Sequence, residues 1–144
     1  MKTEIIVASK YNGVNFSKEL SSLIYESFRK KFSSKFFPKE TAKKITHLIS
    51  IYICACERDR LLVAIAKDQL IGCLYFLNTE TSDYYFRYLL KKNFNYLDRL
   101  KVYFFLTLLS HKPKKEETYI DFLAVASNFR GNGVGKKLLT NLKI

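Results

Sequence analysis

Three parts of the chain carry short apolar runs with the spacing of β-strands. Residues 5–8 predict a first strand, which the turn-prone pair Asn12-Gly13 closes. The runs LLVAIA and LIGCLYFL, separated by Lys67-Asp68-Gln69, predict a β-hairpin, and Gly72 in the second run indicates a bulge or close packing. Residues 118–125, TYIDFLAV, are almost entirely apolar and predict a central strand that is buried on both faces.

Helical spacing occupies the region between the first strand and the hairpin. Ser17 is a suitable cap for a helix that runs to about Ser33. Pro38 suits the first turn of a second helix, which runs from Lys39 to about Tyr52. Apolar residues recur in both at intervals of three and four: Leu20, Leu23, Ile24, Phe28, Ala42, Ile45, Leu48, Ile49 and Tyr52.

Residues 83–111 contain neither glycine nor proline and also have helical spacing. They predict one long helix, or two helices broken near Asn93–Asn95. The polar side carries five cations, Arg87, Lys91, Lys92, Arg99 and Lys101. A core helix with a solvated basic face is the favoured interpretation, and an amphipathic helix on a membrane surface is the alternative.

Three glycines at alternate positions, Gly131, Gly133 and Gly135, separate the strand at 118–125 from a Leu-rich helical stretch. Glycine permits positive φ and close approach of the backbone. The first turn of a helix has unpaired N–H groups and the positive end of the helix dipole, so this junction is suited to an anion such as phosphate. Arg130 and the pair Lys136-Lys137 add positive charge.

Two common phosphate motifs do not match this junction. The dinucleotide fingerprint that begins at Gly131 requires glycine at position 136, where the chain has lysine. The Walker loop fails because position 130 is arginine and position 137 is lysine.

The segment does match R-x-x-G-x-G, through Arg130, Gly133 and Gly135. Residues 125–139, VASNFRGNGVGKKLL, resemble the core motif of the GNAT superfamily of acyl-CoA N-acetyltransferases, an apolar strand followed by V-x-P-x-[YF]-[RQ]-G-x-G-[IVL]-G and a Leu-rich helix. Ser127 replaces the usual proline. The resemblance is strong over 118–144, moderate over 60–78 and topological over 1–58.

The resemblance implies an α/β (α+β) fold, a mixed and mainly antiparallel sheet flanked by helices, formed by a single domain over 1–144. It also implies that the last strands and helix of a complete domain are missing, so the chain is expected to be a fragment or a C-terminally truncated variant. Residues 79–117 are longer than the corresponding link in compact members and are expected to form a helical insertion.

The implied activity is transfer of an acetyl group from acetyl-CoA to a primary amine, by direct attack and without a metal. The cofactor would be held by Leu123 and Val125 on the strand and by Arg130, Gly131, Asn132, Gly133, Val134, Gly135 and Lys136 at the junction. Nothing in the chain matches the tyrosine with which many members reprotonate the thiolate. The alternative is a catalytically defective CoA-binding or interaction module.

Asp121 is the candidate general base, because it is the sole carboxylate of the apolar strand and is expected on the same face as Leu123 and Val125. Members of the superfamily often carry an acidic residue here or two positions earlier, where this chain has Tyr119. An ion pair between Asp121 and a core lysine or arginine, with a purely structural role, is an equal alternative.

Net charge, apolar runs and cysteine content limit the ligands and the cellular setting that fit this chain. The net charge of +12 suits an anionic ligand, CoA included, whereas scattered lysines and the absence of a recognised motif argue against nucleic acid. The longest apolar run, residues 102–109, is far too short for a membrane span. The N-terminus has an apolar run of only four residues and does not predict a signal peptide. Three cysteines, Cys54, Cys56 and Cys73, are too few and wrongly spaced for a zinc site. Cys54 and Cys56 are expected to be buried free thiols, which indicates a reduced, cytoplasmic protein. A homodimer is left open.

Overall fold

The computed structural model describes residues 2–28, 39–77, 84–109 and 119–142. Its strands form one antiparallel sheet in the order β1-β2-β3-β4. The strands are β1 (Glu4–Val7), β2 (Leu61–Ala66), β3 (Gln69–Leu77) and β4 (Tyr119–Val125). The predicted class, a mainly antiparallel sheet flanked by helices, is confirmed.

Five α-helices accompany the sheet in the described residues: α1 (Phe16–Phe28), α2 (Lys39–Cys56), α3 (Tyr84–Asn93), α4 (Tyr96–Leu109) and α5 (Val134–Thr140). Helices α1 and α2 pack against each other on one face of the sheet, and α5 packs on the opposite face. Helices α3 and α4 lie within residues 79–117, so the part of this segment that the structure describes is helical; whether it is an insertion stays a prediction.

The sheet separates two hydrophobic clusters of different size. The larger cluster lies between the sheet and helices α1 to α4, and Leu20, Ile45, Ile53, Val63 and Leu90 are among its fully buried members. The smaller cluster lies under α5, and it consists of Leu62, Ala64, Ala66, Ile71, Leu74, Val134 and Leu138. Because α5 supplies only two buried side chains, its attachment depends on close packing against the strands.

The predicted hairpin is present as β2 and β3. Its turn residues Lys67 and Asp68 have φ of 50° and 60°, the left-handed conformation that suits the twist of a two-residue hairpin turn. The register shifts between Ala64 and Ile65, and Ile71 is the extra residue on β3. The bulge therefore turns Gly72 toward α5. The sequence predicted either a bulge or close packing at this glycine, and both are present.

Strand β4 does not lie where the sequence pattern predicts. It pairs with β3, and no strand of the described residues pairs with its other edge. Of residues 120–125 only Ala124 is buried. The prediction of a central strand buried on both faces is therefore wrong for the described residues. Helices α1 and α5 cover β4 only partly, and no strand of the described residues lies along its outer edge.

Helix α1 begins at Phe16, so Ser17 is inside the first turn and is not the cap. The Asn15 carbonyl accepts the first helical hydrogen bond from the Glu19 N–H at 2.9 Å. Burial of the Phe16 ring against the core explains the earlier start. The predicted end near Ser33, the side chain of Phe28 and Pro38 lie outside the described residues.

Helix α2 runs to Cys56 rather than to Tyr52. Its last turn leaves Cys54 half-buried and Cys56 exposed, so the expectation that both thiols are buried is wrong. Cys54 still packs against the edge of the larger cluster, whereas Cys56 faces solvent.

Of the two predictions for residues 83–111, the one with two helices broken near Asn93–Asn95 is correct, because α3 and α4 are separate helices. The Asn93 side chain donates to the Leu89 carbonyl at 2.8 Å and closes the end of α3. The Asn95 side chain accepts from the Asp98 N–H at 2.8 Å and caps the start of α4. Two asparagines therefore satisfy the backbone groups at the break.

Candidate active site

The junction between β4 and α5 places its glycines in conformations that other residues avoid. Gly131 and Gly133 have φ of 84° and 77°. A Cβ atom built on either residue would meet no atom within 4 Å. Glycine is therefore favoured at these two positions by backbone conformation, not by lack of space.

Gly72 and Gly135 serve a different purpose, because they let α5 lie close to the sheet. A Cβ on Gly72 would stand 3.0 Å from Val134 Cγ1 and 3.2 Å from the Ala124 carbonyl oxygen. A Cβ on Gly135 would stand 3.4 Å from Leu123 Cδ2. These contacts fix the start of α5 beside the end of β4.

The start of α5 presents backbone donors. The first hydrogen bond inside the helix runs from the Lys137 N–H to the Gly133 carbonyl at 3.0 Å. The N–H groups of residues 134–136 therefore have no acceptor within α5. Exposed cations, Arg130, Lys136 and Lys137, surround them, so the donors and the charges all favour an anion at this position.

The outer edge of β4 presents further backbone groups. The Ala126 N–H donates to the Ile71 carbonyl at 2.8 Å, so residues 126, 124 and 122 direct their backbone groups toward β3. In an antiparallel pair these directions alternate, and the backbone groups of Leu123 and Val125 therefore point away from β3. They can pair with an extended ligand that lies along the edge.

Arg130 lies partly over this edge. Its Nε donates to the Val125 carbonyl oxygen at 3.1 Å, which confirms that the oxygen faces outward. The Val134 side chain is buried under the sheet, so any contact of Val134 with a ligand at the junction would be made by its backbone N–H. Asn132 is exposed at the tip of the loop.

A contact between α1 and the junction has no sequence signal. The Glu26 Oε1 accepts a hydrogen bond from the Ser127 N–H at 3.2 Å, across 101 positions of the sequence. Proline, the residue usual at this position of the motif, has no N–H group to donate. The serine thus allows a tie between α1 and the start of the loop.

Asp121 lies on a bulge that the sequence does not reveal. The β3–β4 register pairs Tyr75 with Phe122 and Phe76 with Ile120, so Asp121 is the extra residue. Ile120 therefore joins Leu123 and Val125 in the smaller cluster, whereas Phe122 packs with the larger one.

The bulge also changes the face on which Asp121 lies. Its charge acts on Tyr75, which belongs to the larger cluster. The expectation that Asp121 shares the face of Leu123 and Val125 is thus wrong, because the bulge interrupts the two-residue alternation.

The carboxyl of Asp121 is accessible to solvent yet poorly hydrated. The side chain is exposed, but the protein atoms packed around it displace part of its hydration, and this desolvation raises its pKa above the ordinary value of 3.8. Within the described residues Asp121 forms no ion pair. A nearby lysine or arginine would lower the pKa, so the alternative of a structural ion pair is not supported.

A buried polar cluster lies on the same face of the sheet. The Tyr52 hydroxyl donates to Glu57 Oε1 at 2.8 Å, and Arg60 forms an ion pair with Glu57 Oε2. Burial, together with the charge of Glu57, raises the pKa of Tyr75. Tyr75 therefore stays a neutral phenol at physiological pH. Sequence reasoning missed this cluster because its members come from three separate elements.

Comparisons with known proteins bear on the family and the fold. A family model described as "Acetyltransferase (GNAT) family" matches residues 18–143. A search of curated proteins found no match. Within the described residues, none of the helices has the length and apolarity to cross a membrane.

Solved structures share the fold. An N-acetyltransferase from Staphylococcus aureus Mu50 has 19% identity and a TM-score of 0.63, with 95% of this chain and 73% of that chain covered. A crystal structure of an acetyltransferase has 18% identity and a TM-score of 0.61, with 95% of this chain and 70% of that chain covered. A Pyrococcus horikoshii OT3 protein has 14% identity and a TM-score of 0.56, with coverage of 96% and 68%. Because the family model matches most of the chain and the fold is that of solved acetyltransferases, the chain belongs to the GNAT acetyltransferase family.

Proposed function

We propose that the protein is an N-acetyltransferase that moves an acetyl group from acetyl-CoA to a primary amine of a small molecule or protein. Membership of the family implies an acyl-CoA donor. One observation carries the finer proposal: the unpaired donors at the start of α5 lie next to the outward-facing backbone of Leu123 and Val125. The first suits a pyrophosphate and the second suits an amide-containing arm, which are joined to each other in CoA.

Acetyl-CoA supplies an acetyl group activated as a thioester. In this proposal the backbone donors of residues 131–136 hold its pyrophosphate, and Arg130 and Lys136 add charge at the rim. The left-handed glycines leave open space above the loop, as a cradle for phosphate requires. The edge at Leu123 and Val125 binds the pantetheine arm as an added strand, and an N–H near Val125 polarises the thioester carbonyl.

Asp121 acts as the general base. An amine must lose a proton before it attacks, because an ammonium ion has no lone pair. The raised pKa of Asp121 makes its carboxylate a better proton acceptor than an ordinary aspartate. Attack on the thioester is direct, so no covalent enzyme intermediate forms.

Two measurements test the proposal. Acetyl-CoA at millimolar concentration is expected to raise the melting temperature, since a ligand that binds only the folded state stabilises it. Release of free thiol across a panel of amines then tests turnover. An unchanged melting temperature would refute the binding site, and binding without turnover on any amine would favour the CoA-binding module over the enzyme.

The cellular setting is proposed on separate grounds. Cys54, Cys56 and Cys73 are all free thiols, which fits a reducing cytoplasm. Burial raises the pKa of Cys73 to about 12, so this thiol is unreactive. A homodimer stays a prediction, which sedimentation velocity can test.

A further inference from the structure

The surface of α4 differs from the solvated basic face that the sequence favours. Tyr96, Leu97 and Leu100 are 66%, 70% and 48% exposed. At about 100° per residue these three side chains fall within an arc of about 100° on the helix. Val102, fully buried, points away from this arc and packs in the larger core cluster. The described part of α4 therefore turns apolar side chains outward.

Cations border this apolar arc on both sides. By the same rotation of about 100° per residue, Arg99 lies about 60° before Tyr96 and Lys101 lies about 40° beyond Leu97. Lys101 is exposed, and the Arg99 guanidinium lies 5.8 Å from the centre of the Tyr96 ring. An apolar stripe with cations at its borders is typical of helices that lie in the interface of a membrane.

Helix α3 repeats the arrangement. Tyr88 is 51% exposed, and the neighbouring Lys91 and Lys92 are exposed as well. Leu89 and Leu90 are buried and attach α3 to the core. Residues 84–109 contain five cations and a single acidic residue, Asp98. We use "α3–α4 face" for Tyr88, Lys91, Lys92, Tyr96, Leu97, Leu100 and Lys101.

We propose that the α3–α4 face binds the surface of an anionic lipid bilayer. Leucine and tyrosine side chains enter the boundary between headgroups and acyl chains, while the flanking lysines pair with lipid phosphates. The exposed leucine and tyrosine side chains and the exposed lysines beside them complement the two properties of such a bilayer surface, an apolar boundary layer and negative charge.

Two other occupants fit less well. A second copy of the chain would bring the same cations against each other, which is repulsive. An acidic peptide needs a basic pocket, but a neighbouring cavity, between α2 and the start of α4, is lined by two acids, Glu40 and Asp98, with one lysine, Lys44.

Co-sedimentation with vesicles tests the proposal. The protein is expected to bind vesicles of phosphatidylcholine with phosphatidylglycerol and not vesicles of phosphatidylcholine alone. The variant Leu97→Gln/Leu100→Gln should bind roughly tenfold more weakly or worse, because it removes two apolar side chains that enter the lipid. Glutamine keeps the helix propensity of leucine, so the fold is expected to persist.

A matched control distinguishes this face from exposed apolar residues in general. Val14 and Leu139 are 98% and 49% exposed at other places on the surface, and Val14→Gln/Leu139→Gln should bind vesicles like the parent. Likewise Lys91→Gln/Lys101→Gln should weaken binding, whereas Lys10→Gln/Lys18→Gln, an equal loss of charge at exposed positions, should not. Equal losses in the matched pairs would overturn the proposal, since binding would then depend on overall charge or apolarity.

An optical probe reports the depth of insertion. The chain contains no tryptophan, so Leu97→Trp introduces a single reporter. Its emission should shift to the blue with anionic vesicles, whereas the emission of Val14→Trp should not move. No shift at position 97, or preferential capture of the protein by polyglutamate over vesicles, would overturn the proposal, the latter in favour of an acidic protein partner.

Discussion

The β4–α5 junction and the α3–α4 face both present cations to solvent, but the surroundings of the charges differ. At the junction, Arg130, Lys136 and Lys137 surround backbone donors that the helix leaves unpaired. At the α3–α4 face, lysines border exposed leucine and tyrosine side chains. A net charge of +12 therefore does not identify one ligand: fixed backbone donors suit a discrete phosphate, and an apolar stripe suits an extended surface.

The largest expected effect separates chemistry from binding within the junction region. Asp121→Asn should lower turnover by about 10²–10⁴-fold if Asp121 is the general base, with the affinity for acetyl-CoA unchanged. Steady-state kinetics and a titration of acetyl-CoA measure the two quantities. Turnover equal to that of the parent would remove Asp121 from the mechanism.

The dependence of activity and stability on pH gives a second test of Asp121. A base must be ionised, so the acid limb of the parent's activity should lie above the usual aspartate range, because desolvation raises this pKa. Because this pKa is higher in the folded than in the unfolded state, the ionised carboxylate lowers the free energy of unfolding above the folded-state pKa. This loss of stability shrinks as pH falls below the folded-state pKa and is gone below the unfolded-state pKa. Asp121→Asn should therefore not lower the melting temperature at pH 7.

The next effect tests whether the junction works through its backbone. Gly133→Ile places a β-branched residue at positive φ, which costs about 1–3 kcal/mol of strain and should abolish the thermal shift caused by acetyl-CoA. Gly133→Asn should retain most of that shift, since asparagine tolerates the left-handed conformation and a side chain here meets no atom within 4 Å.

Charge provides the contrast for this prediction. Lys136→Gln removes an exposed cation but no backbone donor, and an exposed charge contributes only about 0–1 kcal/mol. Calorimetry should show that Gly133→Ile weakens binding much more than Lys136→Gln does. The reverse order would mean that the junction holds its ligand through charge, as proposed for the lysines of the α3–α4 face.

A third change tests the close packing that holds α5 in place. Gly72→Ala should destabilise the protein by about 1–3 kcal/mol, because the new methyl group would crowd Val134 and the Ala124 carbonyl oxygen, and the backbone carbonyl has little freedom to move aside. Thermal unfolding measures the loss. Adding Val134→Ala to Gly72→Ala should recover part of the lost free energy of unfolding, because it removes the side chain that the new methyl group crowds. If the losses of the two single variants simply add in the double variant, the close contact is contradicted.

The smallest expected effect concerns the tie between α1 and the junction. Glu26→Ala removes the acceptor for the Ser127 N–H, an exposed hydrogen bond worth about 0.5–1.5 kcal/mol, and should weaken acetyl-CoA binding a few fold. Ser127→Pro removes the donor instead. In the Ser127→Pro background Glu26→Ala should have little further effect on that affinity, and an undiminished effect would show that Glu26 acts elsewhere.

Local signals in the sequence predicted the parts of the fold that depend on neighbouring residues. The hairpin followed from two apolar runs around a short polar turn, and the junction followed from glycines between a strand and a Leu-rich helix. Both rest on backbone rules that act over a few positions.

The features that sequence reasoning missed depend on contacts between distant segments. The bulge at Asp121 reverses the face of one residue without any glycine to mark it. The contact of Glu26 with Ser127 spans 101 positions, and the outward turn of Leu97 and Leu100 depends on Val102 being the buried side of α4. In each case the side that faces the core is decided by tertiary packing.

The open outer edge of β4 has a practical consequence for handling the protein. A strand edge that no other strand pairs, as β4 has within the described residues, is a template on which another chain can add a strand and begin aggregation. In the proposed complex the pantetheine arm occupies this edge at Leu123 and Val125. Acyl-CoA in the purification buffer would then act as a cap against self-association, and preparations kept without it should lose monodispersity sooner.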